Sequence, residues 1–343
     1  MGLVNRNKPG TFNNKTASLG GSMDLFLAQP RGFCAGVVRA IDIVELALEA
    51  YQPPIYVFHE IVHNHHVVSD LEAKGAVFVD DLSDVPEGAV TIFSAHGVAD
   101  AVVKEAEARK LEVIDATCPL VTKVHLQGRR YSKRGYAVVI VGHINHQEVI
   151  GTLGSIDGEV YVVSEPEEVR NLQPSDPDKV AYVTQTTLSL DDTRGVIEAL
   201  KERFPKIVGP GLNDICYATQ NRQNAVRDLA RQVDGVLVVG SQNSSNSNRL
   251  RDVAEQNGVY AYLIQDAGDI DRNWFTPESR IGITAGASAP DRLVQAVIDK
   301  LQSMGGGQVQ TLDGVDETTV FRLPKQLLDA GVIASSERSV AAK

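Results

Sequence analysis

Short apolar runs rich in β-branched residues alternate along this chain with longer stretches in which apolar positions return every three or four residues. The runs include Ile55 to Phe58, Val90 to Phe93, Ala137 to Val141, Val180 to Val183, Gly235 to Val239 and Ile281 to Thr284, and each ends in small or polar residues. A run with no polar face predicts a strand covered on both sides, and the amphipathic stretch that follows supplies the cover. Such alternation predicts parallel α/β sheets. Helix starts are marked by Ser189 with Asp192 and by Ser288 with Asp291, which have capping-box spacing, and by Pro119 and Pro290, which suit first turns.

About two strand-helix repeats follow each of three cysteine-bearing turns. The expected fold is therefore three similar α/β modules, over residues 23–118, 119–212 and 213–304, with one cysteine apiece. Candidate boundaries lie near Cys118 and near Gly209-Pro210-Gly211. Residues 1–22 lack apolar periodicity and read as a disordered extension. Residues 305–343 read as an irregular C-terminal tail with one helix-like piece around Lys325 to Ala330.

Composition narrows the partners. The formal net charge is −11, which disfavours a nucleic-acid partner, so any affinity for anions must be local. The longest apolar runs are too short to cross a bilayer, and no apolar segment of signal type follows the N-terminus. A cytoplasmic location, where thiols stay reduced, is expected.

Cys34, Cys118 and Cys216 each stand directly before a helix-like segment. Three cysteines cannot all pair as disulfides, and their wide separation matches no finger or ribbon zinc spacing. A helix N-terminus offers unpaired amide donors and partial positive charge, so cysteines placed there are expected to favour the metal-binding thiolate. Three thiolates with a fourth position open suit an iron-sulfur cluster that binds substrate at one iron. Free cysteine also packs as a small hydrophobe, and that reading stays open residue by residue.

Ligands of open α/β sheets lie beyond the carboxyl ends of the strands, and here those ends are polar. They carry Ser94-Ala95-His96-Gly97, Gly142-His143-Ile144-Asn145-His146-Gln147-Glu148, Thr184-Gln185-Thr186-Thr187, Gly240-Ser241-Gln242-Asn243-Ser244-Ser245-Asn246 and Ala285-Gly286-Ala287-Ser288. Hydroxyls, amides and imidazoles at helix starts bind phosphate without a lysine-rich surface. Ser189, Ser288 and Asn145 also serve as ordinary N-caps. The Ser244-Ser245-Asn246 loop has more donors than one cap needs. Glu148 reads either as the N3 partner of an Asn145 cap or as a general acid.

His59-Glu60-Ile61-Val62-His63 matches the zinc-protease string, but that chemistry needs both histidines on one helix face. His59 follows directly on a strand-like run, so the pair straddles a turn. His63 remains a candidate phosphate contact, and His65 and His66 read as solvated. Two other function classes stand beside the iron-sulfur reading: a non-redox phosphoester-binding module with packed cysteines, and a zinc hydrolase using His59 and His63.

The strings Pro30-Arg31-Gly32-Phe33-Cys34-Ala35-Gly36-Val37, Ser94-Ala95-His96-Gly97-Val98, Asp115-Ala116-Thr117-Cys118-Pro119, Thr184-Gln185-Thr186-Thr187-Leu188-Ser189, Asp214-Ile215-Cys216-Tyr217-Ala218-Thr219 and Gly240-Ser241-Gln242-Asn243-Ser244-Ser245-Asn246-Ser247-Asn248 resemble the 4-hydroxy-3-methylbut-2-enyl diphosphate reductases. These enzymes close the methylerythritol phosphate route to isoprenoids. The resemblance runs from Met23 to about Leu323 and implies a pseudo-threefold α/β trefoil around a 4Fe-4S cluster. It implies that Cys34, Cys118 and Cys216 are its protein ligands and that one iron is left for the substrate hydroxyl. It implies further that His63, His96, His146, Thr187, Ser244, Ser245, Asn246 and Ser288 hold the diphosphate, while Thr186 and Glu148 face the reacting carbon and its oxygen. Reductive dehydroxylation to isopentenyl and dimethylallyl diphosphates, with electrons from ferredoxin or flavodoxin, is the implied activity. Gln147 stands where the family usually has proline, which gives that loop more backbone freedom.

Overall fold

The computed structural model describes residues 22–329, so the expected extension over residues 1–22, except for Ser22, and the tail beyond residue 329 lie outside the described residues. The described strands are β1 (Met23–Leu27), β2 (Ile55–Phe58), β3 (Ala76–Val79), β4 (Val90–Phe93), β5 (Glu112–Asp115), β6 (Ala137–Val141), β7 (Val160–Val163), β8 (Val180–Thr184), β9 (Gly235–Val239), β10 (Tyr260–Ile264), β11 (Arg280–Ala285) and β12 (Gly306–Thr311). The helices are α1 (Ala35–Tyr51), α2 (His65–Glu72), α3 (Asp100–Ala108), α4 (Pro119–Lys133), α5 (Gln147–Leu153), α6 (Leu190–Arg203), α7 (Tyr217–Ala230), α8 (Ser245–Gln256), α9 (Asp291–Ser303) and α10 (Lys325–Asp329). Among the described residues no helix is long and apolar enough to cross a membrane.

The strands form three sheets, ordered β10-β9-β11-β1-β12, β3-β2-β4-β5 and β7-β6-β8. Every recorded pairing between strands is parallel. This is the fold class that the apolar runs imply, because a parallel pair needs a crossover and the crossover helix covers a face.

The chain divides into two compact units. One holds residues 34–220 and 318–329, with the four-stranded and three-stranded sheets; the other holds residues 22–33 and 221–317, with the five-stranded sheet. Side chains alternate across each strand, so both faces need a core. In the three-stranded sheet Val139, Val141 and Tyr182 pack with Val196 and Leu200, while Val138, Ile140 and Val183 pack with Val124 and Val149. In the five-stranded sheet Leu25, Leu237 and Ile283 pack with α9 residues Leu293, Val297 and Leu301, while Phe26, Val236 and Val238 pack with Val226, Leu229, Leu250 and Val253.

Local details depart from the sequence reading in three places. Gly306–Thr311, expected to be irregular, is an edge strand paired with β1; ladder bonds from β1 outweigh the poor strand propensity of its glycines. Ser288 does not cap α9, whose N-cap is Pro290 with Asp291 as the first helical residue. Asn145 does not cap α5: His146 does, and its Nδ1 accepts from the Glu148 N–H at 3.1 Å. Ser189 does cap α6, its hydroxyl accepting from the Asp192 N–H.

One buried arginine organises the smaller unit. Arg222 lies on α7 with no exposed side-chain surface, donates to the Gly32 and Phe33 carbonyls, and forks onto both oxygens of Glu317 at 3.0 and 3.1 Å. Gly32 has φ +66°, a left-handed conformation, and a Cβ there would lie 3.2 Å from the Ala289 carbonyl oxygen, so glycine is required. Removing the guanidinium strands a mostly buried carboxylate, a loss that costs about 3 kcal/mol or more. Arg222→Ala is therefore expected to lower the urea midpoint by the equivalent of about 3 kcal/mol. A midpoint equal to wild type would show that Glu317 reaches water by itself.

Candidate functional site

All three cysteines stand where a loop turns into a helix: Cys34 is the N-cap of α1, Cys118 the N-cap of α4, and Cys216 the residue before α7. The three thiols fall in the larger unit, and each lies close enough to feel the others electrostatically. Gly36 sets the spacing, since a Cβ there would meet the Cys118 Sγ at 2.9 Å and the Cys34 Sγ at 3.8 Å. A side chain at residue 36 would fill the space between two sulfurs.

The expected acidity of these thiols is not what the structure gives. Burial pushes the Cys118 thiol up to about 11 and the Cys216 thiol up to about 12, although amide donors from Leu120 and Val121, and from Thr219, pull the other way. Desolvation outweighs the helix N-terminus, so these two thiols are neutral without a metal and must each lose a proton to bind one. Among the described residues no three His, Cys, Asp or Glu side chains converge tightly enough to hold a single metal ion. The chemistry of the three donors, soft sulfurs at helix starts that sense one another's charge, fits an iron-sulfur group.

The backbone amides of two cysteines bind the neighbouring loops. The Cys118 N–H donates to the Ala95 carbonyl beside His96, and the Cys216 N–H donates to the Thr186 carbonyl, each at 3.0 Å. Arg39 on α1 donates to the Ala116 and Thr117 carbonyls just before Cys118, and to the Arg322 carbonyl in the C-terminal segment. Sequence reading missed both arginines. Arg222 was detectable, because it falls at helical spacing with the buried Val226 and Leu229 on the apolar stripe of α7.

Glu148 is the second residue of α5 and only 2% exposed. Its Oε1 accepts from the Thr186 N–H at 2.6 Å and its Oε2 from the Thr186 hydroxyl at 3.0 Å. Burial pushes the carboxyl up to about 7, against the lowering effect of both Thr186 bonds and with help from the charge of Asp214. Gln147 takes the first helical position, one that proline suits, so the helix start survives the change. Gln185, which sequence reading quoted without a role, accepts from the His143 N–H and donates to the Thr187 hydroxyl at 2.9 Å. It ties the loop carrying Glu148 to the loop carrying Thr186.

His63, His96 and His146 cluster, with ring centroids 4.1 Å apart for His63 and His96, 5.4 Å for His63 and His146, and 6.0 Å for His96 and His146. Burial holds His96 well below the usual imidazole range and His146 down to about 3, and the neighbouring imidazoles push the same way. The His146 Nδ1 accepts a bond, so its neutral ring carries the proton on Nε2 as a donor. The zinc-protease geometry is missing: His59 has φ +60° and pairs with Asp80, His63 pairs with Glu60, and α2 begins only at His65. His65 is exposed.

In the smaller unit Ser244 caps α8 and accepts from the Ser247 N–H and hydroxyl. Asn246 in the first turn is buried with neither amide atom hydrogen-bonded, and Ser288 is buried on the loop after β11. Ser245 is partly exposed beside them on the chain. A buried, unsatisfied amide at a helix N-terminus is an anion-binding feature.

Residues 25–302 match the family described as LytB protein. A protein of Zymomonas mobilis named 4-hydroxy-3-methylbut-2-enyl diphosphate reductase is 58% identical over 303 residues, 88% of this chain and 89% of that protein. One of the same name from Azoarcus is 57% identical over 307 residues, 90% of this chain and 98% of that one. The solved structure of the E-1-hydroxy-2-methyl-but-2-enyl-4-diphosphate reductase from Plasmodium falciparum superposes with a TM-score of 0.86 at 39% identity, covering 93% of this chain and 99% of that chain.

The histidine cluster generates a titration test. An anion held against these rings would favour the protonated imidazole that burial disfavours at His96, so binding there would be coupled to proton uptake. Calorimetry with inorganic diphosphate at pH 6 is expected to give heats that differ between buffers of different ionisation enthalpy, with the sign of proton uptake. Identical heats in all buffers would show that the rings bind the anion while remaining neutral.

Proposed function

The chain belongs to the LytB family, and we infer from that membership how its residues carry out the family reaction: it is an oxidoreductase that reduces 4-hydroxy-3-methylbut-2-enyl diphosphate, the last step of the non-mevalonate route to isoprenoids. Two electrons and two protons replace the allylic C–O bond by a C–H bond, and water departs. The products are isopentenyl and dimethylallyl diphosphates. The enzyme is of the iron-sulfur class. We assign Cys34, Cys118 and Cys216 as the protein ligands of a 4Fe-4S cluster with one open iron, supported by the electrostatic coupling of the three thiols and by the space at Gly36 beside the Cys34 and Cys118 sulfurs. When bound, that group supplies single electrons and Lewis acidity toward the substrate hydroxyl.

The chain's own residues do the rest. Glu148 donates the proton that lets the hydroxyl leave as water, and Thr186 holds the carboxyl in place from both its N–H and its hydroxyl. His63, His96, His146 and Thr187 are assigned to the diphosphate; His146 would offer Nε2–H, and Gln185 orients Thr187. Within the smaller unit Ser244, Ser245, Asn246 and Ser288 are assigned to anion binding, which would give the buried Asn246 amide the partners it lacks. Electrons would come from a ferredoxin or flavodoxin, and the enzyme would work in the cytoplasm, where its thiols stay reduced.

The observation that carries this reading is the buried carboxyl of Glu148, held near neutrality and bound to the same residue, Thr186, whose carbonyl accepts the Cys216 amide. A carboxyl raised to about 7 is the acid form below that pH and is lost as pH rises through it. Wild-type turnover should therefore fall on the alkaline side of about pH 7, and Glu148→Gln should lose roughly 100-fold in kcat while still binding substrate. Near-normal turnover in Glu148→Gln would assign the proton to another group.

The ligand assignment has its own assay. Anaerobically prepared wild type should be brown and rich in iron and sulfide, and Cys118→Ser should keep the far-ultraviolet dichroism of the fold while losing that colour, because a hydroxyl oxygen is a harder donor than thiolate sulfur. A Cys118→Ser protein with full iron content would remove Cys118 from the ligand set.

A further inference from the structure

We propose that the exposed face of α4 is the docking surface for a small acidic carrier protein that delivers electrons one at a time. The proposal rests on the reductase reading and adds to it the place where the donor binds. The helix starts at Pro119, directly after Cys118, and carries Lys123, Arg129, Arg130 and Lys133 with no acidic residue, and Arg134 follows. The chain as a whole has 44 acidic residues and a net charge of −11, so this all-basic helix opposes the sign of the chain's net charge. A local field of one sign on a surface of the other steers a complementary partner to one place.

The exposure pattern shows which face is offered. Val121, Val124, His125 and Gly128 are buried, while Lys123, Leu126, Arg130, Lys133 and Arg134 are exposed at helical spacing. Leu126 is 58% exposed in the middle of that stripe. An apolar centre with a charged rim has the anatomy of a transient interface. Two of the cations are already engaged, since Arg129 pairs with Asp100 and the Lys123 amine reaches Asp214 at 3.4 Å. Arg130, Lys133 and Arg134 therefore supply the long-range field, with Arg134 lying over the Tyr136 ring at 5.5 Å.

Distance along the helix gives the surface its use. Lys123 stands five residues and Leu126 eight residues beyond Cys118, about 7 and 12 Å along the axis at a rise of about 1.5 Å per residue. A redox carrier seated on Leu126 sits over the helix that Cys118, an assigned cluster ligand, caps. Each encounter oxidises the carrier by one electron and reduces the enzyme by one, so two encounters complete a turnover. Nucleic acid is the poorer occupant, because a phosphate ladder runs past a stripe of about 17 Å on a chain whose net charge has its own sign.

The experiment compares wild-type holoenzyme with the double variant Arg130→Glu, Lys133→Glu, driven either by a reduced acidic flavodoxin or by dithionite with methyl viologen. The expected result is a fall of about 10-fold or more in flavodoxin-driven kcat/KM, and a wild-type flavodoxin rate that drops with added salt. Dithionite-driven turnover is expected to stay unchanged. Carbodiimide coupling should link flavodoxin carboxylates to Lys133 in the wild type, a readout independent of turnover. Equal flavodoxin rates, a parallel loss with dithionite, or cross-links mapping to other lysines would overturn the docking surface alone. Wild-type holoenzyme with no dithionite-driven turnover would overturn the reductase reading and this proposal with it.

Discussion

The hydrogen bonds from the cysteine amides are the constraint on which the rest of the site depends. Cys118 spends its N–H on Ala95, next to His96, and Cys216 spends its N–H on Thr186, which holds Glu148. Buried amides need such partners, so these bonds are obligatory as well as positional. Their effect is to fix the loop that carries His96, and the loop that holds the Glu148 carboxyl, to the turns that carry two of the thiols. Cys118 and Cys216 thus shape the site through their backbones as well as through their side chains.

A single physical lever, removal from water, acts on five titratable groups of the larger unit's site. Burial raises the Cys118 and Cys216 thiols and the Glu148 carboxyl, and lowers His96 and His146, so each of the five is pushed toward its neutral form. For Glu148 the displacement from 4.5 to about 7 corresponds to roughly 3 kcal/mol between its two protonation states. That outcome matters because two hydrogen bonds from Thr186 favour the anion and still lose. A shallower pocket would leave the same residue ionised and useless as an acid.

Much of this was legible in the sequence. Apolar runs without a polar face announced parallel sheets, and cysteines directly before helical stretches announced thiols at helix starts, because both signals are local. What escaped was set by contacts distant in sequence. β12 became a strand only because β1 offers a ladder, and Arg39 gains meaning only beside the Asp115–Thr117 loop. The sign of the thiol shift was misjudged for a related reason: the helix N-terminus is written in neighbouring residues, whereas burial is the work of the whole fold. Ser288 and Asn145 had cap-like spacing, yet Pro290 and His146 took those roles, since a local motif cannot say where the backbone bends.

The C-terminal segment bears on the order of assembly. Glu317 completes the fork of Arg222, which grips the carbonyls in front of Cys34, and the Arg322 carbonyl completes the bonding of Arg39, which grips those in front of Cys118. Both fastenings therefore depend on residues far along the chain from the turns they steady. A change at residue 317, or in the backbone at 322, can loosen the turns before Cys34 and Cys118 without touching either thiol.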